Sequence, residues 1–261
     1  MIDSRTGTVT GRLGIRSYGT MRAGMLASPD GQRVYLHSGV GVEPVDLRTN
    51  LIGDPVVGRD AGRWNEIIGV SADGRRIFGV EGNALVAPDL NSGATQRIAP
   101  LTRIPNSAAL VPDGSKIYLP SEALSGVDNP LRVIDTTTGT AADVPGTEGA
   151  NEVALSPDGQ TMYTIGYHGV IVLDAATGEV VRRVASGLVQ GSNITVAPEG
   201  RTMFLLDIDG SVEMFDVEAG RITGSLPVGK YPRDQAITED ARRLFVAIEG
   251  RVIAADLSPA P

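Results

Sequence analysis

The chain has 261 residues, carries a formal net charge of −8 and contains no cysteine. The acidic balance argues against a nucleic-acid backbone as partner, which needs a basic face, and no apolar run is long enough to cross a bilayer. The lack of cysteine excludes disulfides, thiolate metal sites and cysteine nucleophiles.

A short phrase of the form Ser-Pro-Asp-Gly recurs six times along the chain. Its copies begin 43, 40, 45, 41 and 41 residues apart, and an aromatic residue follows four residues after the end of each. A turn, an aromatic strand and a second turn in a period of forty-odd residues are typical of a β-propeller with one repeat per blade. The copies begin at Ser28, Ser71, Val111, Ser156, Ala197 and Thr238, and their aromatics are Tyr35, Phe78, Tyr118, Tyr163, Phe204 and Phe245.

Blade 4 shows the pattern of one repeat most clearly. Pro157-Asp158-Gly159 forms the first turn, because proline fixes its φ and glycine accepts a positive one. An Asp-x-x-Thr-Gly segment, Asp174–Gly178, forms the second turn. Strands are predicted at 151–156, 161–165, 170–173 and 179–185. Applied along the chain, the pattern predicts blades at approximately 23–57, 65–100, 106–146, 151–186, 192–228 and 234–257.

The two ends of the chain are complementary parts of one repeat. Residues 2–9 have the pattern of a second turn and an outer strand, and residues 252–257 that of a third strand. The N-terminal strand, within residues 6–14, is therefore expected to complete the last blade, so that the ring closes without a long free edge. The sequence predicts an all-β, six-bladed β-propeller with four-stranded blades, forming a single domain over residues 1–261.

The repeats resemble the YVTN-type propeller family, whose repeat reads S-P-D-G-x-x-x-Y-V followed by V-x-V-I-D-x-x-T-G. Ser156–Tyr163, Val133–Gly139 and Leu226–Gly229 carry the resemblance, which covers the full chain. It implies a propeller fold. Many members of the family are exported binding or surface proteins and many have seven blades, so the six blades predicted here depart from the common pattern.

The first residues, Met1–Arg5, contain no apolar stretch of the signal-peptide type. The sequence as written therefore predicts a cytoplasmic protein, or an exported one if a signal has been removed. We expect a monomer that binds a small molecule and neither nucleic acid nor membrane.

The irregular residues of the sequence map to one face of the predicted ring. The short repeated turns fall on one face, and the irregular connections between blades fall on the other. Four aromatics outside the repeat pattern and both histidines lie on the irregular face. Such side chains line small-molecule sites, although they could equally pack the loops. The candidate ligand-binding residues are Trp64, Tyr167, Tyr231, His37, Arg22, Arg233 and Asn193.

The starts of the inner strands, which converge on the central channel, are rich in Asn, Asp and Glu. Strands usually avoid these residues, and their oxygens suit Ca²⁺ or Mg²⁺, although they could also cap turns beside a water-filled channel. This ring is similar to the calcium site of the six-bladed gluconolactonase family. The resemblance implies Glu66, Asn106 and Asn151 as ligands of a possible Ca²⁺. Asp234, one blade and one position from the expected acidic ligand, completes the candidate set.

The sequence leaves three functions open. The first is a small-molecule-binding propeller with its site at the channel mouth. The second is an enzyme in the same mouth, either a metal-assisted, lactonase-like hydrolase or a metal-free cyclase or isomerase, with Glu152 or His168 as general base. The third is a protein-interaction scaffold. The sequence contains no nucleophile elbow, zinc-protease, phosphate-loop or dinucleotide motif.

Overall fold

The computed structural model describes residues 1–14, 24–38, 41–57, 64–105, 107–120, 129–166, 169–184, 191–207, 209–249 and 251–257. All regular elements in these ranges are β-strands, and none of the described residues forms a helix that could span a membrane. The strands are β1 (Met25–Ala27), β2 (Arg33–Ser38), β3 (Gly41–Asp46), β4 (Leu51–Ile52), β5 (Trp64–Val70), β6 (Ile77–Glu81), β7 (Ala84–Pro88), β8 (Thr95–Pro100), β9 (Ala109–Leu110), β10 (Lys116–Leu119), β11 (Arg132–Asp135), β12 (Ala141–Asp143), β13 (Ala150–Leu155), β14 (Thr161–Gly166), β15 (Gly169–Asp174), β16 (Val180–Val184), β17 (Gly191–Val196), β18 (Thr202–Asp207), β19 (Ser211–Asp216), β20 (Arg221–Pro227), β21 (Asp234–Ile237), β22 (Arg243–Ile248) and β23 (Arg251–Asp256).

These strands form six antiparallel sheets in chain order, so the protein is a six-bladed β-propeller, as the repeat predicts. The first five blades contain four strands each: β1–β4, β5–β8, β9–β12, β13–β16 and β17–β20. The sixth contains three described strands, β21–β23. In every blade, consecutive strands are hydrogen-bonded neighbours. The first strands of successive blades contact one another, so the first strand of each blade is its inner strand.

Side-chain hydrogen bonds hold the repeated first turn in shape. In blade 4, Ser156 Oγ donates to Asp158 Oδ1 at 2.5 Å and accepts from the Thr161 amide at 2.9 Å. The Gln160 amide donates to the same aspartate oxygen at 3.0 Å. Gly159 adopts a φ of 68°, a conformation that favours glycine. The Ser-Pro-Asp-Gly segment therefore forms a hairpin turn that its own side-chain hydrogen bonds stabilise.

The second turn is an Asx turn, built on the aspartate that ends the third strand. Asp174 Oδ1 accepts hydrogen bonds from the Thr177 amide at 2.7 Å and from the Ala176 amide at 3.0 Å. The Thr177 hydroxyl donates to the same oxygen at 3.0 Å. The turn thus reverses the chain into the outer strand through hydrogen bonds among its own residues.

The core lies between successive sheets. Five apolar clusters fill the interfaces from blades 1 and 2 through blades 5 and 6. The repeat aromatic of blade 4, Tyr163, packs with Met203 and Phe215 of blade 5, and its hydroxyl donates to the Gly200 carbonyl at 2.8 Å. The repeat aromatic of blade 4 therefore joins two neighbouring blades by packing and by a hydrogen bond.

Tyr163→Phe removes this hydrogen bond and keeps the aromatic ring of the side chain. We expect a loss of about 1 kcal/mol in the free energy of unfolding, because one partly buried hydrogen bond is lost and the Gly200 carbonyl loses its donor. Urea denaturation measures the change. Tyr231→Phe is the control, since Tyr231 is 61% exposed, and an equal loss in both variants would contradict the assignment.

The N-terminal residues lie against the sixth blade. Ile2 and Val9 form a local antiparallel bridge, and Arg243 Nη1 donates to the carbonyl oxygens of Ser4 (3.3 Å) and Arg5 (2.8 Å). Among the described strands, β23 has no neighbour on its outer side, so the expected fourth strand of blade 6 is not seen there. The N-terminal segment thus contacts the last blade through its turn, and in the described residues it forms no ladder with β23.

Candidate functional site

Strand register places five polar residues at one level of the central channel. In each blade the inner strand pairs with the second strand, which contains the repeat aromatic. In blades 2, 4, 5 and 6, the inner-strand residue opposite the second position after that aromatic is polar. In blade 3 the register from Ala109 and Tyr118 leads to Ser107 at the same level. The pairs are Glu66 with Val80, Glu152 with Ile165, Asn193 with Leu206 and Asp234 with Ala247. Glu66, Ser107, Glu152, Asn193 and Asp234 are called the polar ring below.

β-Bulges decide which residues share this level. Blade 4 has a bulge between Ala150 and Glu152, which sets Asn151 apart from the ladder. Blade 2 has a similar bulge between Trp64 and Glu66, and a second one closer to the turn, between Ile67 and Gly69. The extra residue in this second bulge increases by one the number of residues between Glu66 and the first turn. Spacing from the first turn therefore aligns Glu66 with Asn151, whereas the hydrogen-bond register aligns Glu66 with Glu152.

Blades 5 and 6 are joined at the polar ring by a hydrogen-bond network. Asn193 Nδ2 donates to Asp234 Oδ1 at 3.2 Å, and the Gln235 amide donates to the same oxygen at 2.8 Å. The Gln235 side chain is buried and its Nε2 donates to the Phe204 carbonyl at 2.8 Å. These bonds fix the orientation of the Asp234 carboxylate beside the channel.

Gln235 was not anticipated from the sequence. Its Oε1 is buried and has no hydrogen-bond partner among the described residues. The sequence feature that could have indicated it is a second polar residue directly after Asp234, followed by the apolar Ala236 and Ile237. Because a buried amide oxygen without a partner is costly, this atom is a candidate acceptor for a ligand or a water.

The polar ring also joins blades 3 and 4. Ser107 Oγ donates to the Val153 carbonyl and accepts from the Val153 amide, each at 3.2 Å. Glu152 is half-buried, and its own carbonyl accepts from the Thr164 hydroxyl at 2.7 Å. Glu66 is half-buried as well, with its Oε2 shielded from solvent. The ring therefore contains three carboxylates, and two of them are partly withdrawn from water.

The other predicted site residues, whether ligand-binding, metal-binding or catalytic, are exposed, buried or not described. Tyr231 is exposed with a φ of 58°, and the exposed Arg233 is held by its amide, which donates to the Ala247 carbonyl at 2.8 Å. His37 is buried in β2 of blade 1. Trp64 begins β5, but its side chain is not among the described ones. Arg22, Asn106, Tyr167 and His168 lie outside the described residues.

The donor atoms of the predicted calcium site suit the ion, and its described members are Glu66, Asn151 and Asp234. No three His, Asp or Glu residues lie close enough together to hold a metal in the part of the chain that the structure describes. Asp234 Oδ1 already accepts two hydrogen bonds. Asn106, the remaining predicted ligand, lies outside the described residues, so the calcium site stays a prediction.

The opposite face contains a groove of about 730 Å³ between blades 2 and 3. Its walls include Asp73 and Asp113 of two first turns, Asp89 of a second turn and the side chain of Arg76. The three aspartates are already bonded within their turns. We assign this groove to the packing of repeated turns and not to a ligand site.

Comparison with known proteins supports the fold. The structure is similar to a chain of Kuenenia stuttgartiensis hydrazine synthase with a TM-score of 0.70 and 22% sequence identity, over 96% of this chain and 80% of that one. At this identity the likeness shows the fold alone. No family model matches the chain, and no curated protein matches it. The propeller is thus supported and the YVTN-type resemblance is not confirmed.

Proposed function

We propose that the protein binds a small molecule at the mouth of the central channel, on the face opposite the Ser-Pro-Asp-Gly turns. The observation that carries this proposal is the polar ring, in which five blades place Glu66, Ser107, Glu152, Asn193 and Asp234 at one level. Small-molecule sites have a small number of placed polar groups that fix the orientation of the ligand, and several of them here come from different blades.

The chemistry of the polar ring limits the class of ligand. Three of its members are carboxylates, which accept hydrogen bonds when ionised, and Gln235 adds a buried amide oxygen nearby. Such a site favours a ligand that donates hydrogen bonds. A polyhydroxylated compound or an organic amine fits this requirement, and a strongly anionic compound does not.

Glu152→Gln tests this site. A panel of sugars, polyhydroxylated lactones and primary amines is screened by thermal shift, and each compound that raises the Tm is measured by calorimetry. We expect Glu152→Gln to weaken binding of such a compound at least tenfold, equivalent to about 1.4 kcal/mol. Glu179→Gln is the matched control, because Glu179 is exposed after the second turn of the same blade.

Two results would contradict the proposal. One is a panel in which no compound raises the Tm. The other is a compound whose affinity falls equally in Glu152→Gln and Glu179→Gln, because the binding site would then lie elsewhere.

An enzyme in the same mouth is a second candidate. It is favoured by the position of Glu152, the predicted general base, at the level of two further carboxylates, Glu66 and Asp234. The two functions differ in one measurement. An enzyme converts a bound lactone or other compound with time, and Glu152→Gln then lowers kcat far more than it raises KM, whereas a binder leaves the compound unchanged.

A further inference from the structure

Tyr231 differs from the other aromatic residues in its exposure. It is 61% exposed, whereas every other aromatic side chain that the structure describes is buried or half-buried in the blades. It lies in the connection between β20 and β21, on the face opposite the Ser-Pro-Asp-Gly turns. Asp234 of the polar ring follows three residues later, so the two Cα atoms are at most about 11 Å apart. Tyr231 therefore stands at the rim of the channel mouth.

The backbone of Tyr231 is strained. Its φ is 58°, in the left-handed region where a bulky side chain is an outlier, and a residue that precedes a proline, as this one does, is usually extended. Among the described residues, two others that are not glycine have a positive φ, Asn50 at 60° and Ala241 at 55°. Both take the places that glycine has in the turns of blade 4, at Gly178 and Gly159. The repeat explains those two conformations and does not explain that of Tyr231.

Hydrogen bonds on both sides hold this connection in place. Before Tyr231, the amides of Val228 and Gly229 donate to the carbonyl oxygen of Gly210 at 2.8 and 3.0 Å. After it, the Arg233 amide donates to a carbonyl of β22 at 2.8 Å. Strained residues persist only where the surrounding structure determines them, and they cluster at functional sites. The connection thus keeps an aromatic side chain at the rim although its backbone conformation lowers the stability of the fold.

We propose that Tyr231 forms a wall of the ligand site and selects a cyclic ligand. The flat face of the ligand packs on the phenol of Tyr231, and hydrogen-bond donors at the edge of the ligand bind the carboxylates of the polar ring. This inference rests on the proposed function, because it requires a ligand at the polar ring. An exposed aromatic surface close to hydrogen-bond acceptors fits a molecule with an apolar face and a polar edge. An open-chain molecule with the same donors offers the phenol no flat partner and is expected to bind more weakly.

Two pairs of compounds test this selection. myo-Inositol and sorbitol have the same number of hydroxyl groups, and cyclohexylamine and hexylamine have the same number of carbon atoms and the same amine. In each pair only the first compound is cyclic. We expect the cyclic member of at least one pair to bind about tenfold more tightly than its open-chain partner, equivalent to about 1.4 kcal/mol. NMR titration of the full chain measures the dissociation constants, and the pair that shows the preference distinguishes a hydroxylated ligand from an amine.

Tyr231→Asn separates contact with the ligand from backbone strain. Asparagine tolerates a positive φ, as it does at Asn50, so this variant is expected to raise the Tm by about 2 °C. It is also expected to weaken binding of the cyclic compound about tenfold, whereas Tyr231→Phe keeps the aromatic face and the affinity. Ala241→Asn is the matched control. It relieves the same backbone conformation in a first turn, on the opposite face, so it should raise the Tm and leave binding unchanged.

Three outcomes would overturn the role of Tyr231. The first is equal binding of the cyclic and the open-chain compound in both pairs, and the second is an unchanged affinity of Tyr231→Asn for the cyclic compound. In both cases a loss of affinity in Glu152→Gln would still support the polar ring as the site, so the two proposals fail separately. The third is an absence of binding by all these compounds at millimolar concentration. A compound of the wider panel that binds through Glu152 would then limit the failure to the cyclic ligand.

Discussion

Gly159→Ala is expected to lower the free energy of unfolding by about 2–5 kcal/mol, and Gly200→Ala by only about 1–2 kcal/mol. Both glycines end a first turn with a positive φ, 68° at Gly159 and 74° at Gly200. An alanine at either position is strained by its left-handed backbone. Only at Gly159 would the added Cβ also meet another blade, because it would lie 2.0 Å from Cγ of Pro112 in the first turn of blade 3.

The comparison separates local turn strain from contact between blades. Apart from its chain neighbours, no atom of the described residues lies within 4 Å of the Cβ position at Gly200, so that variant reports the backbone strain. Urea denaturation of both variants gives the difference. Combining Gly159→Ala with Pro112→Ala should recover most of the excess loss, since the smaller side chain removes the clash. Equal losses at the two glycines would show that the blades can separate locally at little cost.

Acid is expected to unfold the protein steeply below about pH 4. Eleven described aspartates of the first and second turns have a pKa held below its usual range. In first turns such as that of Asp158 the main cause is the hydrogen bond from the Ser156 hydroxyl, followed by the amide of Gln160. In second turns such as that of Asp174 it is the backbone amide of Thr177.

The sign of the effect follows from proton linkage. A carboxyl whose pKa is lower in the folded state stabilises the fold above its unfolded pKa, about 3.9, and this stabilisation is lost as the pH falls through the folded pKa. Glu213 acts in the opposite direction, because burial and the nearby Asp207 raise its pKa, so mild acid relieves a small penalty. We therefore expect little change between pH 7 and 5, and a loss shared by many turns below pH 4.

Urea midpoints at pH 7, 5, 4 and 3 measure this profile. Asp158→Asn should destabilise the protein at pH 7 and have a smaller effect at pH 3, where the wild-type carboxyl is itself being protonated. Glu199→Gln is the control, because the first turn of blade 5 begins with Ala197, which has no hydroxyl to donate. A profile that is flat from pH 7 to 3 would show that the turn aspartates do not stabilise the fold.

The blade pattern could be predicted from the sequence because its causes are local. The Ser156–Asp158 and Asp174–Thr177 hydrogen bonds span two or three residues, so each turn is encoded within its own phrase. An aromatic at a constant distance from the first turn then identifies the second strand. Period, blade number and all-β class follow from these short-range rules.

The candidate site could be predicted only in part. Glu66, Glu152, Asn193 and Asp234 were recognised as polar residues in inner strands, but their common level depends on how many residues bulge in each strand. The second bulge of β5, between Ile67 and Gly69, aligns Glu66 with Glu152 and sets Asn151 apart. A bulge is a property of two paired strands, so spacing along one strand does not reveal it.

The sequence by itself determined the turns, the repeat and the six blades, because hydrogen bonds between near neighbours specify them. Tertiary structure decided which polar side chains meet around the channel and which sheet face is left open. Val252 has the same place in its repeat as Val170 and Val212, yet it is exposed while they are buried. The physical reason is that burial is set by what packs against a residue: Val170 and Val212 belong to apolar clusters between two blades, whereas Val252 is 47% exposed.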